Sequence, residues 1–174
     1  MPLTDPSLAS GNCHRSLALI ASYQSTAILE TIVQSSKDEE GLSNSSAEKY
    51  LHMLLAWSQA LPPQLRRQSI SSTQLSVVSS TREHIIGNIH LACTYYFGVI
   101  LATRQCLILY MIRHLRVTHR SSAKHSSRSV MDTPDGQKDA ELTKACTDAA
   151  TYMAQMCWEA FEGDMLLGNM CILK

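Results

Sequence analysis

Three histidines near the middle of the chain, His114, His119 and His125, are the side chains most suggestive of metal chemistry. Two histidines on one helix bind a metal when they stand at positions i and i+4, because that spacing places both imidazoles on one face. Neither interval here has that spacing, and the second half of the segment is polar in the manner of a loop. We therefore expect solvated histidines and no metal site.

The cysteines are scattered and form no Cys-x-x-Cys pair, which a zinc ribbon or cluster would need. This pattern is typical of ordinary buried thiols in a reducing intracellular compartment. The six cysteines are Cys13, Cys93, Cys106, Cys146, Cys157 and Cys171.

No catalytic signature is visible in the sequence. It contains no His-Glu-x-x-His, no Gly-x-Ser-x-Gly and no glycine-rich loop that would hold a phosphate. We therefore expect a protein that is not an enzyme and that needs no cofactor.

A basic segment follows the most apolar part of the chain, and it contains no acidic residue and many serines. Such a segment fits a nuclear-localisation or nucleic-acid patch, a segment switched by phosphorylation, or a solvated linker. The basic residues are Arg113, Arg116, Arg120, Lys124 and Arg128.

Polar groups on apolar helices are the best candidates for a ligand pocket. A lone His90 or Arg104 must find a hydrogen-bond partner or face a cavity if it is buried, because an unpaired polar group inside a protein is costly. Trp158 is a candidate lining residue. With Tyr95, these side chains make up the predicted effector pocket.

The element that must position these residues is the stretch from 82 to 117, in which Arg104 is the only formal charge between Glu83 and Arg113. A segment this apolar is the centre of a helical core, a membrane span over 85–103, or a surface for a partner. Asn88, His90 and the two glycines within it weaken the case for a span. We predict one long central helix.

Three further helices are predicted around it, over about 14–36, over about 46–60 and from about 138 onward. Ser45 and Glu48 form a capping box before the second of these, and Pro62 and Pro63 end it. Polar loops are predicted at about 37–45, 66–81 and 118–137, with Pro134 in a turn. The expected fold is all-α, an irregular multi-helix bundle around the long helix.

Helical spacing also predicts which side chains face the core. Trp57 is expected to be buried. The side chains expected to face the core are Leu17, Ile20, Ala21, Ile28 and Ile32 in the first helix, Tyr50, Leu54, Trp57 and Leu61 in the second, and Leu142, Ala145, Ala149, Tyr152, Met156 and Ala160 in the last.

Composition fits a single globular domain, residues 1–174. The chain has 174 residues, 45% of them hydrophobic, with 15 basic residues balanced by 15 acidic ones. No overall charge therefore drives binding to nucleic acid or membranes. The chain ends on an apolar segment, DMLLGNMCILK, which looks like the start of another helix and suggests an incomplete domain with an exposed apolar surface.

The order of several segments resembles the fungal-specific transcription factor domain, the helical middle region of zinc-binuclear-cluster regulators. The segments are YLHMLLAWSQALPPQLR, then NIHLACTYYFGVILATRQCL, then KACTDAATYMAQM. Trp57, Leu61 and Pro62 match a Leu-rich helix leading into Leu-Pro, and His90, Leu91, Tyr95, Tyr96, Leu101 and Arg104 match a later helix. Cys146, Ala149 and Ala150 match a helix start. Gln105 departs from the family's usual proline, and the zinc cluster is absent.

The resemblance implies a nuclear regulatory module that modulates transcription through effector binding, dimerisation or intramolecular contacts. A protein partner or self-association and a small-molecule effector are expected, whereas direct DNA binding by these residues and membrane association are not. Two alternatives stay open at this point. One is a small membrane protein anchored by 85–103, and the other is a helical structural partner without a ligand.

Overall fold

The computed structural model describes residues 6–37, 43–66, 79–121, 134–163 and 165. They form four α-helices, which are α1 (Pro6–Ser35), α2 (Asn44–Ala60), α3 (Ser79–Ser121) and α4 (Pro134–Glu162), and a short 3₁₀ helix over Pro63–Leu65. The described residues contain no strand, so the predicted all-α class is confirmed.

Consecutive helices run antiparallel. In the α1–α2 pair Ser35 bonds to Tyr50 at one end, and Ala21 packs with Trp57 at the other. In the α3–α4 pair, Tyr96 stacks near Tyr152. α3 contacts each of the other three helices, whereas α1 and α4 do not touch within the described segments. The long helix is therefore central, as predicted.

The start of α2 differs from the predicted capping box. Ser43 is the N-cap, and its hydroxyl accepts a hydrogen bond from the backbone N–H of Ser46 at 3.2 Å. Several residues near this end are serines. Ser43 is the one whose side chain accepts a hydrogen bond from a backbone N–H of the first turn of α2. Because α2 begins earlier than predicted, Asn44 belongs to the helix and lies next to α4. The helix ends before Pro62, as expected.

α3 and α4 are both longer than predicted. α3 covers Ser79–Ser121, and α4 begins at Pro134 rather than near Lys138. Proline suits the first position of a helix, because the missing N–H would have no partner there and its φ is already helical. The Pro-Asp-Gly sequence therefore starts a helix instead of forming a turn. α1 likewise begins at Pro6, ahead of the predicted residue 14.

Two neighbouring clusters make up the core between α1, α2 and α3. Leu54 and Ile32 are fully buried in the first, together with Val99 and Ala102. Trp57 lies in the second, which the 3₁₀ helix closes through Leu65; its other buried members are Ala21, Leu61 and Leu91. The predicted α2 stripe is thus buried. Ile20 and Tyr152 were expected to face inward and are instead 56% and 54% exposed, and the Tyr152 ring lies at the surface beside Tyr96 rather than in the core.

A polar network joins the N-terminal end of α2 to α3 and α4. Asp139, only 7% exposed, accepts hydrogen bonds from the amide of Asn44 and from the guanidinium of Arg113. The Asn44 carbonyl oxygen accepts from the Cys106 thiol at 3.4 Å. Burial, and then the nearby charge of Asp139, raise the pKa of that thiol. These hydrogen bonds hold the N-terminal ends of α2 and α4 against α3.

Replacing Asp139 by Ala should destabilise the protein by about 2 kcal/mol, because the partly buried Asn44 amide loses a charged acceptor. The Arg113 side chain is 62% exposed and turns to water at little cost. Urea unfolding followed by circular dichroism measures the loss. Asp148→Ala is the matched control: its carboxylate is partly exposed and, among the described residues, pairs with Lys144, so the expected loss is below about 0.5 kcal/mol. Equal losses for the two variants would show that the network contributes nothing.

Candidate functional site: an aromatic groove and the outer face of α3

The structure does not gather the four residues of the predicted effector pocket. His90 and Arg104 lie on the exposed face of α3, and Trp158 is 60% exposed beside Phe161. Neither polar residue is therefore forced to find a buried partner. Only Tyr95 lines a groove.

The predicted basic segment begins on α3, as the predicted helix over 82–117 implies, and the helix extends further into it, to Ser121. Arg113 is in the helix and pairs with Asp139, and Arg116 is an exposed helical residue. Arg120 also falls within α3. Lys124 and Arg128 lie outside the described residues. One member of this patch is thus a structural ion-pair partner.

The groove lies where α2 and α4 run side by side over α3, and its volume is about 450 Å³. Each flanking helix contributes positions i, i+3, i+4 and i+7, which is one helical face. The lining residues are Glu48, Leu51, His52 and Leu55 from α2, Tyr95, Tyr96 and Val99 from α3, and Ala145, Asp148, Ala149 and Tyr152 from α4. The size suits a small molecule.

Three tyrosines form the aromatic part of the groove. The rings of Tyr96 and Tyr152 have centroids 5.8 Å apart and are tilted by 30°. Tyr95 meets Tyr96 edge-to-face at 5.4 Å. Burial, and then the neighbouring Tyr96, raise the pKa of Tyr95, so its hydroxyl remains neutral at physiological pH. The three rings therefore form one aromatic surface along the groove.

The charged groups that line the groove are acidic. Glu48 on α2 and Asp148 on α4 stand on opposite walls. Lys138 reaches Glu48 at 3.3 Å and Lys144 reaches Asp148 at 2.7 Å, but neither lysine is among the lining residues. The floor between the walls is apolar, since Val99 and Ala149 are buried there. The groove is thus mainly apolar and aromatic, with two carboxylates and the His52 imidazole among its lining groups.

An exposed stripe along α3 is a second distinctive feature, which we call the outer seam. It consists of Phe97, Leu101, Ile108, Met111 and Leu115, with Arg104 in its middle; Leu101, at its inner edge, is half-buried and also packs against the first core cluster. Successive seam positions alternate spacings of three and four residues. Four of its apolar side chains are 44–56% exposed, namely Phe97, Ile108, Met111 and Leu115. A helix that is apolar on both faces normally has both faces covered.

Two segments, Arg15–Ser35 in α1 and His84–Arg116 in α3, are long and apolar enough to cross a membrane. Only 17% and 22% of their most apolar windows are buried inside the protein. A core helix of a soluble protein passes the same test of length and composition, but it is mostly buried. Within the described ranges, much apolar surface of these two helices is therefore exposed.

The residues of the groove other than Tyr95 were missed by sequence reasoning. Tyr152 was predicted to be core, and Glu48 was assigned to a cap. A signal existed in the sequence, because the faces of α2 and α4 each carry a carboxylate at the edge of a mainly apolar stripe, which on α2 also includes His52. The sequence did not show which helices lie side by side. Within the described residues, no group of three or more His, Cys, Asp or Glu side chains is placed to hold a metal ion.

No protein-family model, characterised protein or solved structure matches this chain.

Proposed function

We propose that this chain is a helical regulatory module of a nuclear transcription regulator, similar to the middle region of fungal zinc-cluster regulators, and that it acts by self-association through the outer seam. The resemblance of its segments to that family supports the regulatory role. The apolar side chains of the outer seam carry the proposal for association, because Phe97, Ile108 and Met111 keep 44–50% of their surface exposed in the described part of the chain. A protein partner or a second copy of this chain that packs on the outer seam buries these side chains.

The spacing of the outer seam favours another helix as the partner. Alternating intervals of three and four residues form a heptad pattern, which lets two helices pack along a continuous apolar stripe. Identical seams on two copies can pair with one another, so a second copy of this chain is the simplest partner.

Arg104 has a defined role in such a pairing. A single polar residue within an apolar seam disfavours most registers, because only some alignments let its charge reach water. The arginine stem covers apolar surface while the guanidinium stays solvated. We expect Arg104 to lower affinity and to set the register of the pair.

The test compares two double variants, each of which replaces two exposed apolar side chains with glutamine. Ile108→Gln with Met111→Gln removes two central apolar side chains of the outer seam, and Leu19→Gln with Ile20→Gln removes two exposed apolar side chains of α1. Burying each such side chain contributes roughly 1.5–3 kcal/mol, so the seam variant should weaken dimerisation by at least about 100-fold. Size-exclusion chromatography with light scattering over a range of concentrations gives the dissociation constant.

The α1 variant should dissociate like the unmodified protein. A monomer at tens of micromolar before any substitution would contradict self-association, and so would a dimer that both variants leave unchanged.

A second candidate function, a membrane anchor, is favoured by the low burial of the α1 and α3 windows. The packing of α4 along α3 argues against a span, because α4 would carry the Lys144–Asp148 ion pair into the hydrocarbon. Flotation with lipid vesicles separates the candidates. Self-association predicts a chain that remains in the aqueous fraction, whereas anchoring predicts a chain that floats and resists carbonate extraction.

A further inference from the structure

We propose that the groove between α2, α3 and α4 binds an amphiphilic organic cation, a small molecule with an apolar body and an ammonium head. The proposal rests on the groove alone and is independent of self-association through the outer seam.

The apolar floor provides the contact for the body of the ligand. Leu51 and Val99 lie at the base of the groove with Ala149, and Leu55 forms part of one wall. Leu55 is 44% exposed, so a ligand that covers it removes apolar surface from water. A cavity of about 450 Å³ accommodates a ligand of one ring and a short chain.

The tyrosines provide the contact for the head of the ligand. The face of an aromatic ring is negative, and it attracts an ammonium group within about 6 Å of the ring centroid. Tyr152 is 54% exposed, and its ring is tilted by only 30° from that of Tyr96. The two rings therefore offer a broad aromatic surface that remains accessible.

The carboxylates determine the sign of the charge that the groove accepts. Glu48 and Asp148 stand on the two walls, and the lining residues include no lysine or arginine. Their ion pairs with Lys138 and Lys144 are exposed, and exposed pairs hold their partners weakly. A ligand ammonium can therefore take the place of either lysine. An anionic ligand would meet two like charges.

The experiment measures binding of three probes of nearly equal shape to the full chain by isothermal titration calorimetry. They are phenylpropyltrimethylammonium, its neutral analogue with carbon in place of nitrogen, and phenylbutyrate. We expect the cation to bind about tenfold or more tighter than the neutral analogue, from the combined cation–π and charge attraction, and the carboxylate to bind weakest.

Two variants, each with a matched control, show which residues are responsible for the preference for the cation. Tyr152→Leu should weaken cation binding about tenfold and leave the neutral analogue nearly unchanged. Tyr23→Leu, on the exposed surface of α1, should change neither. Glu48→Gln with Asp148→Asn should abolish the preference for the cation and its dependence on salt. Glu141→Gln with Glu162→Gln, both exposed on α4, should retain both.

Equal affinity for the cation and its neutral analogue would overturn the proposal and leave a merely apolar groove. Absence of binding by all three probes would overturn it as well. The oligomeric state of the chain is read separately, so failure here leaves the proposed self-association standing.

Discussion

Trp57→Ala should lower the free energy of unfolding by about 3 to 5 kcal/mol, which is among the largest losses that a single substitution in this chain can cause. Trp57 is only 7% exposed and lies in the cluster where α1, α2, α3 and the 3₁₀ helix meet. Removing its ring leaves a cavity that four separate elements cannot all move to fill. Urea unfolding followed by circular dichroism at one fixed chain concentration measures the change.

Two further substitutions separate packing from other causes. Trp57 Nε1 is buried and makes no hydrogen bond within the described part of the chain, so Trp57→Phe removes an unsatisfied donor while retaining a ring. We expect it to cost less than about 1.5 kcal/mol. Trp158→Ala should cost less than about 1 kcal/mol, since that side chain is 60% exposed. Similar losses for Trp57→Ala and Trp158→Ala would contradict the assigned core.

Leu54→Ala should cost about 3 to 5 kcal/mol for a related reason. Leu54 has no exposed surface and packs directly against the backbone of α3 at Gly98. A Cβ atom at Gly98 would lie 2.9 Å from Leu54 Cδ2 and 3.1 Å from Leu29 Cδ2. The glycine therefore allows α1 and α2 to approach α3 closely, and Leu54 fills the remaining space.

The close approach predicts that the two positions are coupled. In the unmodified protein, Gly98→Ala gains about 1 kcal/mol of helix propensity but forces Leu54 and Leu29 to shift, so its net effect should be neutral or destabilising. In the Leu54→Ala background the new methyl group enters the cavity, and Gly98→Ala should stabilise by about 1 kcal/mol. A double-mutant cycle measures the coupling. An identical effect of Gly98→Ala in both backgrounds would show that the helices are not in contact there.

The sequence was most informative where a helix had one apolar face. Tyr50, Leu54, Trp57 and Leu61 follow helical spacing, and their burial was predicted correctly because a single stripe can face only one neighbour. The helix ends were less predictable, since several serines compete to cap α2 and Pro134 suits both a turn and the first position of a helix.

The candidate site was mostly beyond the reach of sequence reasoning. His90 and Arg104 attracted attention because they interrupt an apolar helix, yet both are exposed. A helix that is apolar on all sides gives no indication of which face the rest of the chain will cover. Arg113 was assigned to a basic patch, and its pairing with Asp139 depends on the antiparallel contact between α3 and α4.

The sequence by itself determined the all-α class, the long central helix and the burial of Trp57. Those properties follow from local periodicity and from the cost of exposing apolar side chains, and both can be read along the chain. Only the tertiary structure decided that α2 and α4 flank one stretch of α3, that Tyr95, Tyr96 and Tyr152 meet there between two carboxylates, and that side chains of the outer seam stay about half exposed in the described part of the chain. The physical reason is that these arrangements depend on which helix faces pack together, and residues distant in sequence become neighbours only when they do.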